Sequence, residues 1–377
     1  MIYRDFQDLH LSLLGFGTMR LPLKENGEID QLQFNAMIDD FMAAGYTYFD
    51  TAYFYHDGHS EEAVGAGLLA RYPRESFILA DKLPVSVLAK REHTPREIFR
   101  LQQKRSGADF FDMYLLHALD AEYAKTADEL GLWDFMQELK AEGLIRHAGF
   151  SFHDKAAVLE QILTAHPETE FVQLQINYAD WEDKNVQSRL CYEVCVKHNK
   201  PVIVMEPVKG GLLASEKGVF APLLQKAAPD RSLVSWAFRF VHDLPQVKMI
   251  LSGMSEEAQV QENIALFGGL DPLTEAERQT IAQAREAIQK AGEIGCTACR
   301  YCVNGCPEGI HISRILAVLN SYKRYGSLER AKAQYEYATR GSAKASQCRR
   351  CGRCEGVCPQ HLYISGYMQE AARLFEN

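Results

Sequence analysis

Eight cysteines near the end of this chain fall into two runs of identical spacing, and nothing else in the sequence restricts its folding so tightly. The runs are Cys296-x2-Cys299-x2-Cys302-x3-Cys306-Pro307 and Cys348-x2-Cys351-x2-Cys354-x3-Cys358-Pro359. The N-terminal residues, with Arg4 and Asp5, lead into no apolar segment of a secretory signal, and no run of about 18 apolar residues occurs anywhere. A reducing cytosol is therefore the expected compartment, and clustered cysteines there read as metal ligands before disulfides. Zinc sites usually take their ligands as two separated pairs, which two identical four-cysteine runs with trailing prolines fit poorly.

The geometry favours two [4Fe–4S] clusters. Three thiolates spaced two residues apart on a tight loop can hold three corners of one cubane, and the fourth, ahead of a proline that turns the chain, is carried to the other cluster. This assigns Cys296, Cys299, Cys302 and Cys358 to one cluster and Cys348, Cys351, Cys354 and Cys306 to the other. The spacing is that of bacterial two-cluster ferredoxins. Helical apolar periodicity from Ile312 to Lys323, Leu328 to Ala338 and Ser365 to Phe375 makes the region longer and more helical than those compact proteins. It is similar to the helical ferredoxin domains of multi-subunit reductases. The remaining cysteines, Cys191 and Cys195, lie four residues apart on a predicted helix and read as packing.

Before these runs, strand and helix signals alternate. Apolar stretches at Leu11–Gly17, Tyr46–Asp50, Phe77–Lys82, Met113–His117, Ile145–Ser151, Val172–Asn177, Val202–Glu206 and Met249–Ser252 are separated by amphipathic segments such as Pro95–Ser106. Eight such units predict a (β/α)8 TIM barrel. The periodicity also permits an open doubly wound sheet, but no Gly-x-Gly-x-x-Gly follows an early strand. The expected order is thus an α/β barrel over 1–268, a helical linker over 269–292, and a small, mostly helical two-cluster domain over 293–377.

Barrel chemistry sits at the carboxyl ends of the strands. Those ends offer Asp50, Lys82 and His117, with Tyr55 in the loop after Asp50. A phenol with an ordinary pKa near 10 is a poor acid at neutrality, and a neighbouring ammonium lowers that value. Asp50 would keep Lys82 in place and charged, His117 would orient a carbonyl, and Tyr55 would donate the proton as hydride reaches carbon.

The strings Gly15-Phe-Gly17-Thr-Met, Phe49-Asp50-Thr51-Ala52-Tyr-Phe-Tyr55, Ala80-Asp-Lys82-Leu-Pro84, Tyr114-Leu-Leu-His117, Gly149-Phe-Ser151, Val172-Gln173, Glu206-Pro207 and Glu262-Asn263 resemble those of the aldo-keto reductases. The resemblance runs from about residue 10 to 267, and the whole chain resembles the subgroup with a C-terminal two-cluster domain. It implies a nicotinamide cofactor, NAD(H) or NADP(H), and a small carbonyl or alcohol substrate. Asp50, Tyr55, Lys82 and His117 match the catalytic set. Ser151 and Gln173 match the side chains that hold the carboxamide, and Met205, Ser252, Glu262 and Asn263 fall at further cofactor positions. Phe152 stands where Asn is usual, and Met205 where an aromatic stacks on the nicotinamide. The segment Leu251–Ser255 and Gln259 lack the cations that meet a 2′-phosphate, which tilts the expectation toward NADH.

Hydride carries two electrons and a cluster passes one, so a flavin, FMN, is an expected converter. Lys209-Gly210-Gly211 after the seventh barrel strand could wrap its phosphate. A partner redox protein is the other way to use the clusters, with an idle barrel as the alternative reading. The net charge of −9 argues against nucleic acid as a partner.

Overall fold

The computed structural model describes residues 1–184, 186–291, 294–296, 298–358 and 360–377. Pro359, one of the two prolines of the cysteine motifs, lies outside the described residues. The chain opens with an antiparallel hairpin, β1 (Tyr3–Phe6) and β2 (Leu9–Ser12). Eight strands then close a parallel barrel: β3 (Leu14–Gly17), β4 (Tyr48–Asp50), β5 (Ile78–Leu83), β6 (Phe111–Leu119), β7 (Ile145–Phe152), β8 (Phe171–Gln175), β9 (Val202–Met205) and β10 (Val247–Gly253). Each strand pairs with the next, and β10 closes on β3. The barrel class is the one expected from the eight alternating units. The stretch from Leu11 to Gly17, expected as one strand, is divided between the hairpin and the first barrel strand.

Side chains alternate along a strand with period two, and this sorts the barrel interior into layers. Tyr48, Ala80, Met113, Leu115, Phe171, Ile203, Met249 and Leu251 pack with Phe6, Leu9 and Leu11 of the hairpin into one apolar cluster. The barrel is therefore a packed core, not a pore. Gly15 is required in it, because a Cβ there would stand 2.7 Å from Met249 Sδ and 2.8 Å from Leu251 Cδ2. Two residues further along the same strands, the same inward face carries Asp50, Lys82, His117, Gln173 and Met205. The apolar floor and the polar mouth are thus successive layers of one alternation.

By compactness the chain forms two units. One comprises residues 1–210 and 237–273, the other 211–236 and 274–377. The segment between β9 and β10 thus contributes to the second unit, where Val219 N–H donates to the Arg324 carbonyl at 3.2 Å. In that unit the helix Glu275–Lys290 begins at a capping box, Thr274 with Glu277. Helices Ile312–Tyr325, Leu328–Thr339 and Ile364–Phe375 bury Ile315, Leu316, Leu319, Tyr335, Met368 and Phe375 in a common core that also takes in Cys302 and Cys354. Among the described residues no helix is long and apolar enough to cross a membrane.

Candidate active site and cysteine cavities

At the barrel mouth Lys82 is fully buried, and its ammonium has three neighbours. It donates to Asp50 Oδ1 at 2.5 Å and to the Thr51 carbonyl at 2.7 Å, and lies 3.4 Å from Tyr55 Oη. The other oxygen of Asp50 accepts from Gln173 Nε2 at 3.1 Å. A carboxylate and an ammonium removed from water survive only when paired and hydrogen-bonded, and this pair meets both conditions. Tyr55 is half-buried, and its ring stands edge-on to that of His117 with centroids 6.1 Å apart. Phe54, half-exposed, lies at 6.2 Å from the same imidazole.

Electrostatics correct one expectation. The ammonium of Lys82 does pull the Tyr55 phenol down, but burial pushes harder in the opposite direction, and the Asp50 carboxylate adds to it, so the phenol lies above its ordinary value. Tyr55 therefore holds its proton at neutral pH. Lys82 itself is disfavoured by burial, yet the charge of Asp50, joined by that of Tyr55 once the phenol ionises, more than offsets this and raises it. His117 is driven well down by burial, with Lys82 and His153 adding to the effect. It is a neutral imidazole whose Nδ1 is buried without a partner.

Ser151 Oγ accepts from the N–H of Ala118, the residue after His117, at 2.7 Å. Gln173 is turned toward Asp50. Met205 ends β9 opposite Gln175. Ser252 and Asn263 are joined to each other, Asn263 Nδ2 donating to Ser252 Oγ at 3.0 Å, while Glu262 is exposed. Lys209, Gly210 and Gly211 all have left-handed backbone, with φ of 51°, 62° and 89°. Lys209 Nζ is tied to Asp180 Oδ1 at 2.5 Å. Of the large apolar side chains near strand ends, Trp133 stacks on His166 at 4.0 Å and Trp181 packs on Phe240, so both serve the helix layer.

Sequence reasoning missed a second group at this mouth. Both terminal nitrogens of Arg20 donate to Glu206 Oε1 at 3.1 Å, and a Cβ on Gly210 would meet this pair, 2.9 Å from the Arg20 guanidinium. Glu206 has φ 57°, a conformation that side chains rarely adopt, and Asn177 Nδ2 donates to its carbonyl at 3.1 Å. The only sequence signal was an acidic residue directly before Pro207.

In the second unit the two cysteine runs share one backbone course. Ala298 and Arg300 in the first, and Arg350 and Gly352 at the matching places in the second, all have φ between 53° and 71°. The amides of Cys306 and Cys358 each close a turn onto the residue three before, both at 3.2 Å. One cavity is lined by Cys296, Cys299, Cys302 and Cys358, with Leu316 and Ile364. Another is lined by Cys306, Cys348, Cys351 and Cys354, with Ile310 and Met368. All eight are free thiols. Among the described residues no three His, Cys, Asp or Glu side chains converge on the place of one ion. A cubane asks for a different arrangement, four thiolates around a cavity, each meeting its own iron. Cys191 and Cys195 are buried away from these cavities, and burial pushes the Cys191 thiol up to about 12 and Cys195 higher still, as befits packing residues.

Comparison with known proteins bears on both units. The family model described as the aldo/keto reductase family matches residues 13–286, and that of a 4Fe-4S dicluster domain matches residues 295–363. Over 320 residues the chain is 25% identical to the uncharacterized oxidoreductase YqkF of Bacillus subtilis, spanning 75% of this chain and 96% of that protein. Over 306 residues it is 25% identical to the NADPH-dependent alpha-keto amide reductase of Saccharomyces cerevisiae, spanning 76% and 86%. An aldo-keto reductase of Bacillus halodurans in its holo form superposes with a TM-score of 0.58 at 24% identity, covering 75% of this chain and 96% of that one. One from Klebsiella pneumoniae in complex with NADPH does so with a TM-score of 0.59 at 21% identity, covering 75% and 95%. At these identities the superpositions speak for the barrel fold.

Proposed function

The chain belongs to the aldo/keto reductase family and carries a C-terminal 4Fe-4S dicluster domain, and from that premise we propose that it interconverts a small-molecule carbonyl and its alcohol, with Tyr55 as the proton donor and acceptor. The observation that carries this reading is the buried chain from Gln173 through Asp50 and Lys82 to the Tyr55 hydroxyl. A nicotinamide, when bound, supplies or takes up the hydride at carbon. The side chains here do the rest. The unpartnered Nδ1 of His117 and the hydroxyl of Ser151 are polar groups suited to a carboxamide or a carbonyl. A neutral imidazole can donate a hydrogen bond to the carbonyl oxygen without competing as an acid. Tyr55, protonated at rest, gives its proton to that oxygen, and Lys82 stabilises the phenolate left behind until solvent returns the proton.

The crossed cysteine sets, Cys296, Cys299, Cys302 and Cys358 for one [4Fe–4S] cluster and Cys348, Cys351, Cys354 and Cys306 for the other, are supported by the two cavities those side chains line. Electron exchange between hydride chemistry and the clusters needs a converter, and FMN is our reading of it.

Anaerobic purification, with iron, sulfide, flavin and NADH or NADPH binding assayed on one sample, tests the cofactors. Tyr55→Phe tests the mechanism. Carbonyl reduction should fall by about 10²–10⁴-fold at unchanged iron content. Turnover that survives the substitution would remove Tyr55 from the reaction.

A further inference from the structure

Asp81 directly precedes Lys82 on β5, so alternation turns it away from the mouth and into the helix layer. It is fully buried there, as is Glu61 of the helix His59–Val64 beside it. Lys82 N–H donates to Asp81 Oδ1 at 2.8 Å, whereas Asp81 Oδ2 is buried with no donor. Glu61 is supplied on both oxygens, by Gln102 Nε2 at 3.0 Å and Arg105 at 2.9 Å. The other polar group facing the pair, the Tyr114 hydroxyl, is spent on Gln102 Oε1 at 2.6 Å. The charged groups around Asp81 are thus Glu61 and Arg105 from the helices and Lys82 from its own strand. The Arg105 guanidinium pairs with Glu61, and Asp81 Oδ2 receives nothing from it.

A carboxylate oxygen without a donor, set beside a second carboxylate out of water, costs several kcal/mol or more unless a proton lies between them. Burial, and then the charge of Glu61, push the Asp81 carboxyl well above its ordinary range.

We infer that Asp81 is a neutral carboxylic acid donating its proton to Glu61, and that it is a positioning residue for Lys82, anchoring the lysine backbone through Oδ1 while adding no second negative charge beside the ammonium. Were Asp81 ionised, its negative charge would oppose the effect of the Lys82 ammonium on Tyr55 and push the phenol further up. The proton on the Asp81–Glu61 pair therefore tunes the acid strength of Tyr55 from the far side of the strand. The kinetic part of this inference rests on the carbonyl-reductase reading above, and the protonation state does not.

Infrared spectroscopy of the full holoprotein at neutral pH reads the proton directly. A carbonyl stretch of a buried carboxylic acid should be present in the wild type and lost in Asp81→Asn, which keeps a donor toward Glu61 and an acceptor for Lys82 N–H. In Glu61→Gln the amide can donate to Asp81 and let it ionise. The alkaline limb of carbonyl reduction should then move to higher pH, while Asp81→Asn should leave the limb at or below its wild-type position. Absence of the band from the wild type, or a shift in the same upward direction in both variants, overturns the inference. If Glu61→Gln does not fold, the band and the Asp81→Asn profile still decide it. If the band is present but the wild type turns over no carbonyl, the proton assignment stands and the functional reading fails.

Discussion

Replacing Lys82 by Met removes one charge from the barrel mouth while keeping most of the side-chain volume. In the native protein Asp50 Oδ1 takes its hydrogen bond from Lys82 Nζ at 2.5 Å, and Oδ2 takes one from Gln173 at 3.1 Å. The substitution leaves Asp50, 2% exposed, as a buried carboxylate with one donor, and breaking a buried pair in this way typically costs about 3–5 kcal/mol. The Thr51 carbonyl loses its partner as well. Asp50→Asn added to Lys82→Met removes the stranded charge, so the double variant should recover part of the loss and show a coupling of about 2–3 kcal/mol. Urea unfolding at neutral pH, followed by far-ultraviolet circular dichroism on iron-replete protein, measures both quantities. A cost under about 1 kcal/mol for Lys82→Met, or simple additivity of the two changes, would refute the view that this pair is desolvated and mutually dependent.

Other outcomes follow from the same geometry. Because the Asp81 carboxyl is raised on folding, the native state holds a proton that the unfolded chain has lost. Its contribution is complete below the unfolded-state value near 3.9 and declines as pH rises above it, by at most about 1.4 kcal/mol per pH unit. Thermal unfolding of Asp81→Asn should therefore show a flatter alkaline dependence than the wild type. His117 is held neutral, so kcat/KM for carbonyl reduction should show no acid limb near the free imidazole value of about 6.5, and an imidazolium limb there would contradict the burial argument. Cys306→Ser should disturb the paramagnetic signal of the cluster we assign to Cys348, Cys351 and Cys354, and Cys358→Ser that of the other; uncrossed effects would reassign the ligands. Met205→Tyr, offering an aromatic face at the end of β9, should tighten NADH binding by about 0.5–1.5 kcal/mol, read as a lower Kd by fluorescence titration.

Much of the barrel was legible because its signals are local. A strand buried on both faces declares itself as a short apolar run, and each of the eight runs became a barrel strand. The helices of the C-terminal unit were equally plain, since Ile315, Leu316, Leu319, Met368 and Phe375 recur at helical spacing and all are buried. The break between Ser12 and Leu14 was not legible, because the hairpin residues Leu9 and Leu11 are as apolar as the barrel strand they precede. Nor was the allotment of residues 211–236, which depends on what those residues touch and not on where they fall in the chain.

The sequence by itself determined which reactive groups this protein has and in what order: eight cysteines in two matched loops, and Asp50, Tyr55, Lys82 and His117 at or just beyond strand ends. Period two along a strand and fixed cysteine spacing are properties of the chain, so they can be counted. Only the tertiary structure decided the states of those groups. Tyr55 is raised although an ammonium stands 3.4 Å away, and Asp81 is driven up by burial and then by Glu61, twenty residues before it. Arg20 is engaged by Glu206 from across the mouth. Protonation is settled by the sum of burial and of charges from several elements, and that sum exists only once the barrel has closed around them.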